Sequence, residues 1–212
     1  MIKKTTSLFL FLFIIQCIRS QGVYDTSVIN VKAPERFNAI FKTTKGEFIM
    51  EATRSWSPEG VDRLYQLITS GFFKDIGIFR VQRGYVVQFG ISDNQAINRF
   101  WDKHPIKDEP VSISNLRGYI SFARDGVETR TTQLFINLND NLKLDTVNYN
   151  GLRGFPPVAR IIKGFTTVES FYSGYGFEPA NHQDSVLMYG NSYLKKKFPE
   201  IDYILEARII KN

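Results

Sequence analysis

Alternating apolar and polar positions predict a protein built mainly from short β-strands. The clearest alternation lies between Ile78 and Gly90, where two runs flank Gly84. Successive side chains of a strand point to opposite faces, so Arg80 and Gln82 would share one face of the first run. If the chain turns at Gly84, this face combines a permanent cation with amide and aromatic side chains. Such a surface suits a shallow groove for an extended peptide better than a buried core.

The spacing of apolar residues elsewhere predicts two helices among several strands. Ser57 as N-cap and Pro58 at the first helical position predict a helix that ends at Gly71. A shorter helix would begin at Thr166 and end at Gly174. Strands are expected over residues 39–51, with a tight turn at 45–46, and over residues 118–123, 133–138, 158–162 and 203–210. Loops are expected over residues 91–108 and 148–157, and a short basic helix over residues 193–198.

This order of elements predicts an antiparallel barrel or sandwich. The strands are short, the helices are few, and neither an internal repeat nor a strand–helix–strand alternation is present. A closed barrel is attractive because it leaves no sheet edge exposed. The length of 212 residues fits one domain.

The N-terminus has the pattern of a signal peptide over residues 1–20. Lys3 and Lys4 precede an unbroken apolar run from Leu8 to Ile15, and Ser20 offers a small residue for cleavage. The run is too short to span a bilayer comfortably, so stable membrane insertion is not expected after cleavage. Residues 21–37 would form a polar leader along the surface. We expect the mature protein in the secretory pathway or outside the cell, or in the periplasm of a bacterium.

Composition narrows the chemistry of this mature chain. The only cysteine, Cys17, lies in the predicted signal peptide, so no disulfide, thiolate or Cys-ligated metal is expected. The formal net charge of +6 falls by three when the signal peptide is removed, which is too weak a bias to indicate nucleic acid. His104 and His182 are far apart and do not suggest a catalytic triad. No metal or other cofactor is predicted, and the remaining candidates are Arg80 and its neighbours.

Several ordered motifs resemble the cyclophilin family. Residues 79–90 contain Phe-Arg-Val and then Gly-Tyr-Val-Val-Gln-Phe-Gly, which resemble the family's Phe-His-Arg-Val and Gly-Phe-Met-x-Gln-Gly-Gly. Residues 131–136, Thr-Thr-Gln-Leu-Phe-Ile, are similar to its Gly-Ser-Gln-Phe-Phe-Ile. Residues 154–160, Gly-Phe-Pro-Pro-Val-Ala-Arg, resemble the bacterial form Gly-Phe-Ala-Pro-Phe-Gly-Arg. The resemblance extends from about Phe41 to Tyr172.

The resemblance implies an all-β fold: a closed eight-stranded antiparallel barrel with two capping helices. It also implies peptidyl-prolyl cis–trans isomerisation, with Arg80 donating to the prolyl nitrogen and Gln88 holding a substrate carbonyl. The implied substrate-binding residues are Tyr85, Val86, Phe135 and Leu144 around the proline ring, Ala123 and Arg124 at the peptide backbone, Gln133 beside Arg80 or the peptide, and Phe155 in the space of a family histidine.

Four departures from the family pattern modify this expectation. Phe79 replaces the histidine before the arginine, Val86 replaces a methionine, and Arg124 replaces an asparagine. Lys143 stands where cyclosporin-sensitive members have tryptophan, so we expect weak or no cyclosporin binding. Residues 148–153 look like an insertion, and the chain continues beyond the usual end as an extension from about residue 178.

Three hypotheses follow. The leading one is a monomeric, exported prolyl isomerase and folding catalyst, whose partners are proline-containing peptides and unfolded proteins. The second is a cyclophilin-like chaperone that binds peptides with little or no turnover. The third is a secreted barrel that carries a small apolar ligand, as lipocalins do.

Overall fold

The structure is a computed structural model and describes residues 26–210. A curled antiparallel sheet of nine hydrogen-bonded strands organises this part of the chain. The strands of this sheet and of one separate hairpin are β1 (Arg36–Thr43), β2 (Gly46–Thr53), β3 (Ile76–Gly77), β4 (Arg80–Gln82), β5 (Val86–Phe89), β6 (Tyr119–Phe122), β7 (Leu134–Asn137), β8 (Asn148–Tyr149), β9 (Leu152–Arg153), β10 (Pro157–Lys163) and β11 (Tyr203–Ile210). The helices are α1 (Pro58–Thr69), α2 (Gln95–Asp102), α3 (Phe165–Glu169) and α4 (Gln183–Lys197).

The strand order places the two ends of the sheet close together in the chain. It runs β3-β11-β1-β2-β10-β6-β7-β5-β4, and β8 pairs only with β9. The end strands β3 and β4 are joined by Ile78 and Phe79 alone. The mostly β, antiparallel part of the fold prediction is therefore confirmed. Within residues 26–210 no strand pairing joins β3 to β4, so closure into an eight-stranded barrel stays a prediction.

The interior of the curled sheet is filled with aromatic and aliphatic side chains. Alternate residues of β1 and β2 point inward, and the rings of Phe41 and Phe48 stack with centroids 4.9 Å apart. Helix α1 packs Val61, Leu64 and Leu67 into the same core, and all three are fully buried. Burying aromatic and aliphatic surface in this way is the main source of folding free energy. A packed interior also argues against the apolar-ligand carrier.

The helix predicted from Pro58 is confirmed, but its N-terminus is held differently from the prediction. The Ser57 side chain makes no capping bond to the helix backbone. Its hydroxyl donates instead to Glu109, whose carboxylate accepts the backbone N–H groups of Glu59 at 2.7 Å and Gly60 at 3.1 Å. An acidic group from a distant loop therefore satisfies the free N–H groups of the first turn.

The prediction of a loop over residues 91–108 is wrong, because this segment contains α2. Asn94 caps this helix by accepting the N–H of Ala96 at 2.9 Å, and Trp101 is fully buried. The helix is short and mostly polar, so its single buried apolar side did not stand out from the loop composition. The described residues hold four α-helices, of which α2 was not predicted and α4 was predicted only in its second half.

Other predicted boundaries also move. The strand β1 begins at Arg36, so the predicted leader ends before residue 37. The described part of this leader, from Thr26, packs on α1, where Gln66 donates to the carbonyl of Val31 at 2.8 Å. Helix α3 begins at Phe165 after Gly164, which adopts the left-handed conformation with φ 79°, and it ends before the predicted Gly174. The predicted loop over residues 148–157 contains the β8–β9 hairpin and the start of β10.

The basic helix predicted over residues 193–198 is the second half of α4. Gly190 breaks this helix at φ 59°, and both halves together cover fifteen residues. Among residues 26–210, no helix combines the length and the hydropathy that crossing a membrane requires. The predicted signal peptide, residues 1–20, lies outside the described residues.

Candidate active site

The β4–β5 hairpin places Arg80 and Gln88 side by side. Gly84 turns the chain with φ 71°, and the N–H of Tyr85 donates to the carbonyl of Gln82 at 2.9 Å. The strand register pairs Arg80 with Gln88 and Gln82 with Val86. Directly opposed residues of an antiparallel pair share one face of the sheet, so the predicted grouping of cation and amides follows from the turn.

The Arg80 guanidinium is held by two amides and two aromatic rings. Its Nε donates to Oε1 of Gln82 at 2.7 Å, its Nη2 donates to the same oxygen, and its Nη1 donates to Oε1 of Gln88 at 3.0 Å. Its carbon lies 5.4 Å from the ring centroid of Tyr85 and 4.7 Å from that of Phe177. An arginine has five N–H groups, so these bonds leave one on each terminal nitrogen for a ligand.

Partial burial lowers the pKa of Arg80 from its ordinary value, and the neighbouring Tyr85 opposes this shift. A guanidinium that starts so far above neutrality still carries its full charge at pH 7. Within the described part of the chain, Arg80 forms no ion pair with a carboxylate, and its held contacts are amides and rings. Its charge is therefore available to a group that enters the site.

A chain of amides runs from Arg80 to the C-terminal segment. Gln88 Nε2 donates to Gln133 Oε1 at 3.0 Å, and Gln133 Nε2 donates to Gln183 Oε1 at 2.8 Å. Gln183 in turn donates to the carbonyl of Ala180 at 3.2 Å. Each amide accepts on one side and donates on the other, so the orientation of Gln88 towards Arg80 is determined by its neighbours.

An apolar pocket lies beside this polar chain. Val86, Phe135 and Leu144 are buried together, and Ala123 and Phe155 pack against them. The rings of Phe135 and Phe155 meet edge to face with centroids 5.7 Å apart. The pocket is next to Gln88 because Gln88 in β5 and Phe135 in β7 are directly opposed in the sheet. A small apolar ring in this pocket would lie close to the hairpin that carries Arg80.

All ten predicted site residues line one cavity of about 800 Å³. They are Arg80, Tyr85, Val86, Gln88, Ala123, Arg124, Gln133, Phe135, Leu144 and Phe155. The structure thus brings them together, and their assignment as catalytic or substrate-binding stays a prediction. Among residues 26–210, no group of three or more His, Cys, Asp or Glu side chains is arranged to hold a metal ion.

Further residues of the cavity wall were missed. The C-terminal segment contributes Phe177, Gln183, Asp184 and Leu187, and the β8–β9 hairpin with its approach contributes Val147 and Tyr149. These residues lie outside the motifs that carry the family resemblance, so no motif pointed to them. The remaining lining residues are Asp102, Asp125, Thr129 and Thr131.

Comparison with known proteins agrees with this geometry. Residues 39–188 match the family described as cyclophilin type peptidyl-prolyl cis-trans isomerase/CLD. The chain is similar to peptidyl-prolyl cis-trans isomerase B of Escherichia coli (strain K12), with 27% identity over 150 residues, which cover 68% of this chain and 89% of that protein.

Two solved structures of a cyclophilin type peptidyl-prolyl cis-trans isomerase from Cryptosporidium parvum share the fold. One has a TM-score of 0.59 at 19% identity and covers 84% of this chain and 99% of its own. The other, determined in the presence of the dipeptide Ala-Pro, has a TM-score of 0.55 at 18% identity and covers 82% and 99%. The match to the family spans well over half of the sequence, and the resemblance predicted from the motifs is confirmed. The chain belongs to the cyclophilin-type peptidyl-prolyl cis-trans isomerases.

Proposed function

We propose that this protein rotates X–Pro bonds in its cavity, with Arg80 as the group that lowers the barrier. The barrier is about 18–20 kcal/mol because resonance gives the C–N bond partial double-bond character. As the bond twists, the prolyl nitrogen regains its lone pair and becomes a hydrogen-bond acceptor. A guanidinium beside it binds the twisted state better than either planar state, which is the requirement for catalysis.

The observation that carries this proposal is the position of Arg80 next to the pocket of Val86, Phe135 and Leu144. Gln82 and Gln88 hold the guanidinium and leave one N–H on each terminal nitrogen. The pocket would hold the proline ring, and Gln88 would bind a substrate carbonyl. An X–Pro dipeptide accompanied a related cyclophilin structure, and we extend that class of ligand to this chain.

The biological setting is part of the same proposal. The predicted signal peptide supports export, and an exported isomerase would speed the folding of secreted chains whose X–Pro bonds isomerise slowly. We propose that it acts as a monomer. We also propose a closed barrel, since β3 and β4 counted as one interrupted strand make eight strands whose ends are joined by the chain. Lys143 is exposed beside buried Leu144, which supports weak cyclosporin binding.

A protease-coupled assay on a short X–Pro peptide tests the activity. We expect the parent protein to accelerate isomerisation and Arg80→Ala to reduce kcat/KM by about 10²–10³-fold, the loss typical of one transition-state donor. Arg83→Ala is the matched control: Arg83 lies in the same hairpin, is exposed, and contacts Ser173 rather than the cavity. A parent protein without activity, or equal losses in both variants, would contradict the proposal.

One observation favours the alternative of a peptide-binding chaperone. The ring of Phe177 lies 4.7 Å from the carbon of the Arg80 guanidinium, so the C-terminal segment covers one of its faces. If this cover prevents Arg80 from following the twisting nitrogen, peptides would bind without turnover. A titration that shows binding of a proline peptide, together with an unchanged isomerisation rate, would support this alternative over catalysis.

A further inference from the structure

Arg124 is a cation within the cavity wall that the proposed mechanism does not use. It follows β6 and is 8% exposed, and its guanidinium carbon lies 4.4 Å from the ring centroid of Phe155. Its Nε and Nη2 are buried and have no hydrogen-bond partner among residues 26–210. Burial lowers the pKa of Arg124, whereas the charge of Asp108 raises it. Unpaired donors on a buried cation are costly, so this edge of the side chain is poised to gain a partner.

The two unpartnered atoms have a definite geometry. The N–H of Nε and one N–H of Nη2 point in parallel from the same edge of the guanidinium, and this edge matches the two oxygens of a carboxylate. A peptide carbonyl could accept only one of these bonds and would leave the charge unpaired. A carboxylate would satisfy both donors and the charge together.

The charged groups around Arg124 show that long-range electrostatics would not attract an acidic ligand to it. Asp108 accepts the N–H of Glu128 with one oxygen. Its other oxygen lies 3.8 Å from Nε of Arg130 and is buried without a hydrogen-bond partner among residues 26–210. Asp102, Asp125 and Asp184 also line the cavity, so the cavity as a whole does not attract anions. Any preference for an acidic ligand must therefore arise from direct pairing with Arg124, at a short distance and in one position.

This position is next to the proline pocket. The Phe155 ring that Arg124 covers is itself packed against Phe135 in the pocket, with centroids 5.7 Å apart. One residue of an extended peptide spans about 3.5 Å, so the side chain of a residue that flanks the proline has the reach to meet Arg124. Since Nε and Nη2 are buried where the guanidinium lies over Phe155, a ligand in the cavity requires the Arg124 side chain to turn towards it.

We propose that Arg124 forms a subsite for a carboxylate, and that this protein prefers peptides with Asp or Glu beside the proline. The proposal rests on the proposed peptide-binding function of the cavity, and it adds a substrate class to that function. Arg124 acts here as a specificity-determining residue and takes no part in the bond rotation.

The test compares peptides that differ by one group. Peptides with both ends blocked carry Glu or Gln at the position before the proline, and a second pair carries them after it. Blocking removes the terminal carboxylate as a competing ligand. For one of the two positions, we expect the Glu peptide to have at least about tenfold higher kcat/KM and tighter binding, as a hydrogen-bonded charge pair typically gives.

Variants assign the preference to Arg124. Arg124→Gln should bring the Glu-to-Gln ratio close to one, and Arg124→Lys should retain part of it because the charge remains. Arg83→Gln, on an exposed turn outside the cavity, should leave the ratio unchanged. A parent ratio near one at both positions would overturn the proposal even if no variant folds.

Binding and turnover are measured separately, so the two proposals fail in distinguishable ways. Tighter binding of Glu peptides without catalysis would keep the subsite and refute the isomerase. Equal catalysis of Glu and Gln peptides would keep the isomerase and refute the subsite. A Glu preference that persists in Arg124→Gln would also refute the assignment.

Discussion

Replacing Glu109 should destabilise the fold strongly, because its carboxylate is the nearer of the two ionic partners, Glu109 and Asp108, of a buried cation. Arg130 has a side-chain exposure of 0%, and its Nη2 donates to Oε2 of Glu109 at 3.0 Å. The same carboxylate accepts two backbone N–H groups of the first turn of α1 and the hydroxyl of Ser57. Glu109→Ala therefore removes a charge partner and the anchor of α1 in one step.

The contacts of Glu109 set the size of the effect. Removing one partner of a buried ion pair costs about 3–5 kcal/mol when the remaining charge is left unpaired. Asp108, 3.8 Å from Nε of Arg130, keeps part of this charge paired and lowers the cost. The lost bonds to the N–H groups of Glu59 and Gly60 add to this cost and keep the total within the same range. For a chain of this length, about 1 kcal/mol shifts Tm by about 2–4 °C, so the melting temperature should fall by about 10 °C or more. Glu109→Gln keeps an acceptor and should cost about half as much.

Urea denaturation followed by circular dichroism measures this loss. The control is Glu51→Gln, which removes a surface pair with Arg160, whose side chain is 47% exposed, and should cost less than about 1 kcal/mol. If Glu109→Ala lowered the free energy of unfolding by no more than the control, the reasoning about the buried pair would be refuted.

Two further predictions concern acid stability and the amide chain. Burial alone would raise the pKa of Asp62, but hydrogen bonds from Arg54 and the backbone outweigh it and hold the pKa below 3.8. The folded state thus binds this proton less readily, and the stabilisation is present above pH 3.8 and is lost as the pH falls through the folded pKa. Asp62→Asn should be less stable than the parent at pH 7 and should lose less free energy of unfolding on acidification to pH 3. If the free energy of unfolding fell equally with pH in both proteins, this prediction would be contradicted. Gln183→Leu should lower kcat/KM by about two- to tenfold, because Gln133 loses one neutral hydrogen bond. Gln95→Leu also loosens α4 but lies outside the cavity, so it should leave kcat/KM unchanged. Equal losses in both variants would indicate that Gln183 acts only through the docking of α4.

Local patterns predicted the strands and the first helix well. The apolar-rich run over residues 203–210 predicted β11 with its observed limits, and Pro58 marked the start of α1. These features depend on residues that are neighbours in sequence. The hairpin at Gly84 belongs to the same class, since a glycine with positive φ between two alternating runs brings Arg80 and Gln88 together.

Features that depend on distant contacts were not predictable in this way. Glu109 caps α1 from fifty residues away, a role that no spacing rule indicates. Gln183 reaches Gln133 only because the start of α4 lies in the cavity wall. The glycine break in this helix hides its period. The family motifs supplied most of the candidate site, and the structure added the wall contributed by the C-terminal segment.

The most direct test of the central claim measures bond rotation at equilibrium, without a coupled protease. Magnetisation-exchange NMR follows the cis and trans signals of a proline peptide, which interconvert over tens of seconds or longer without a catalyst. With a small fraction of an equivalent of this protein, we predict exchange that quickens in proportion to its concentration and returns to the uncatalysed rate with Arg80→Ala. Peptide signals that shift on binding while the exchange rate stays at the uncatalysed value would contradict the account.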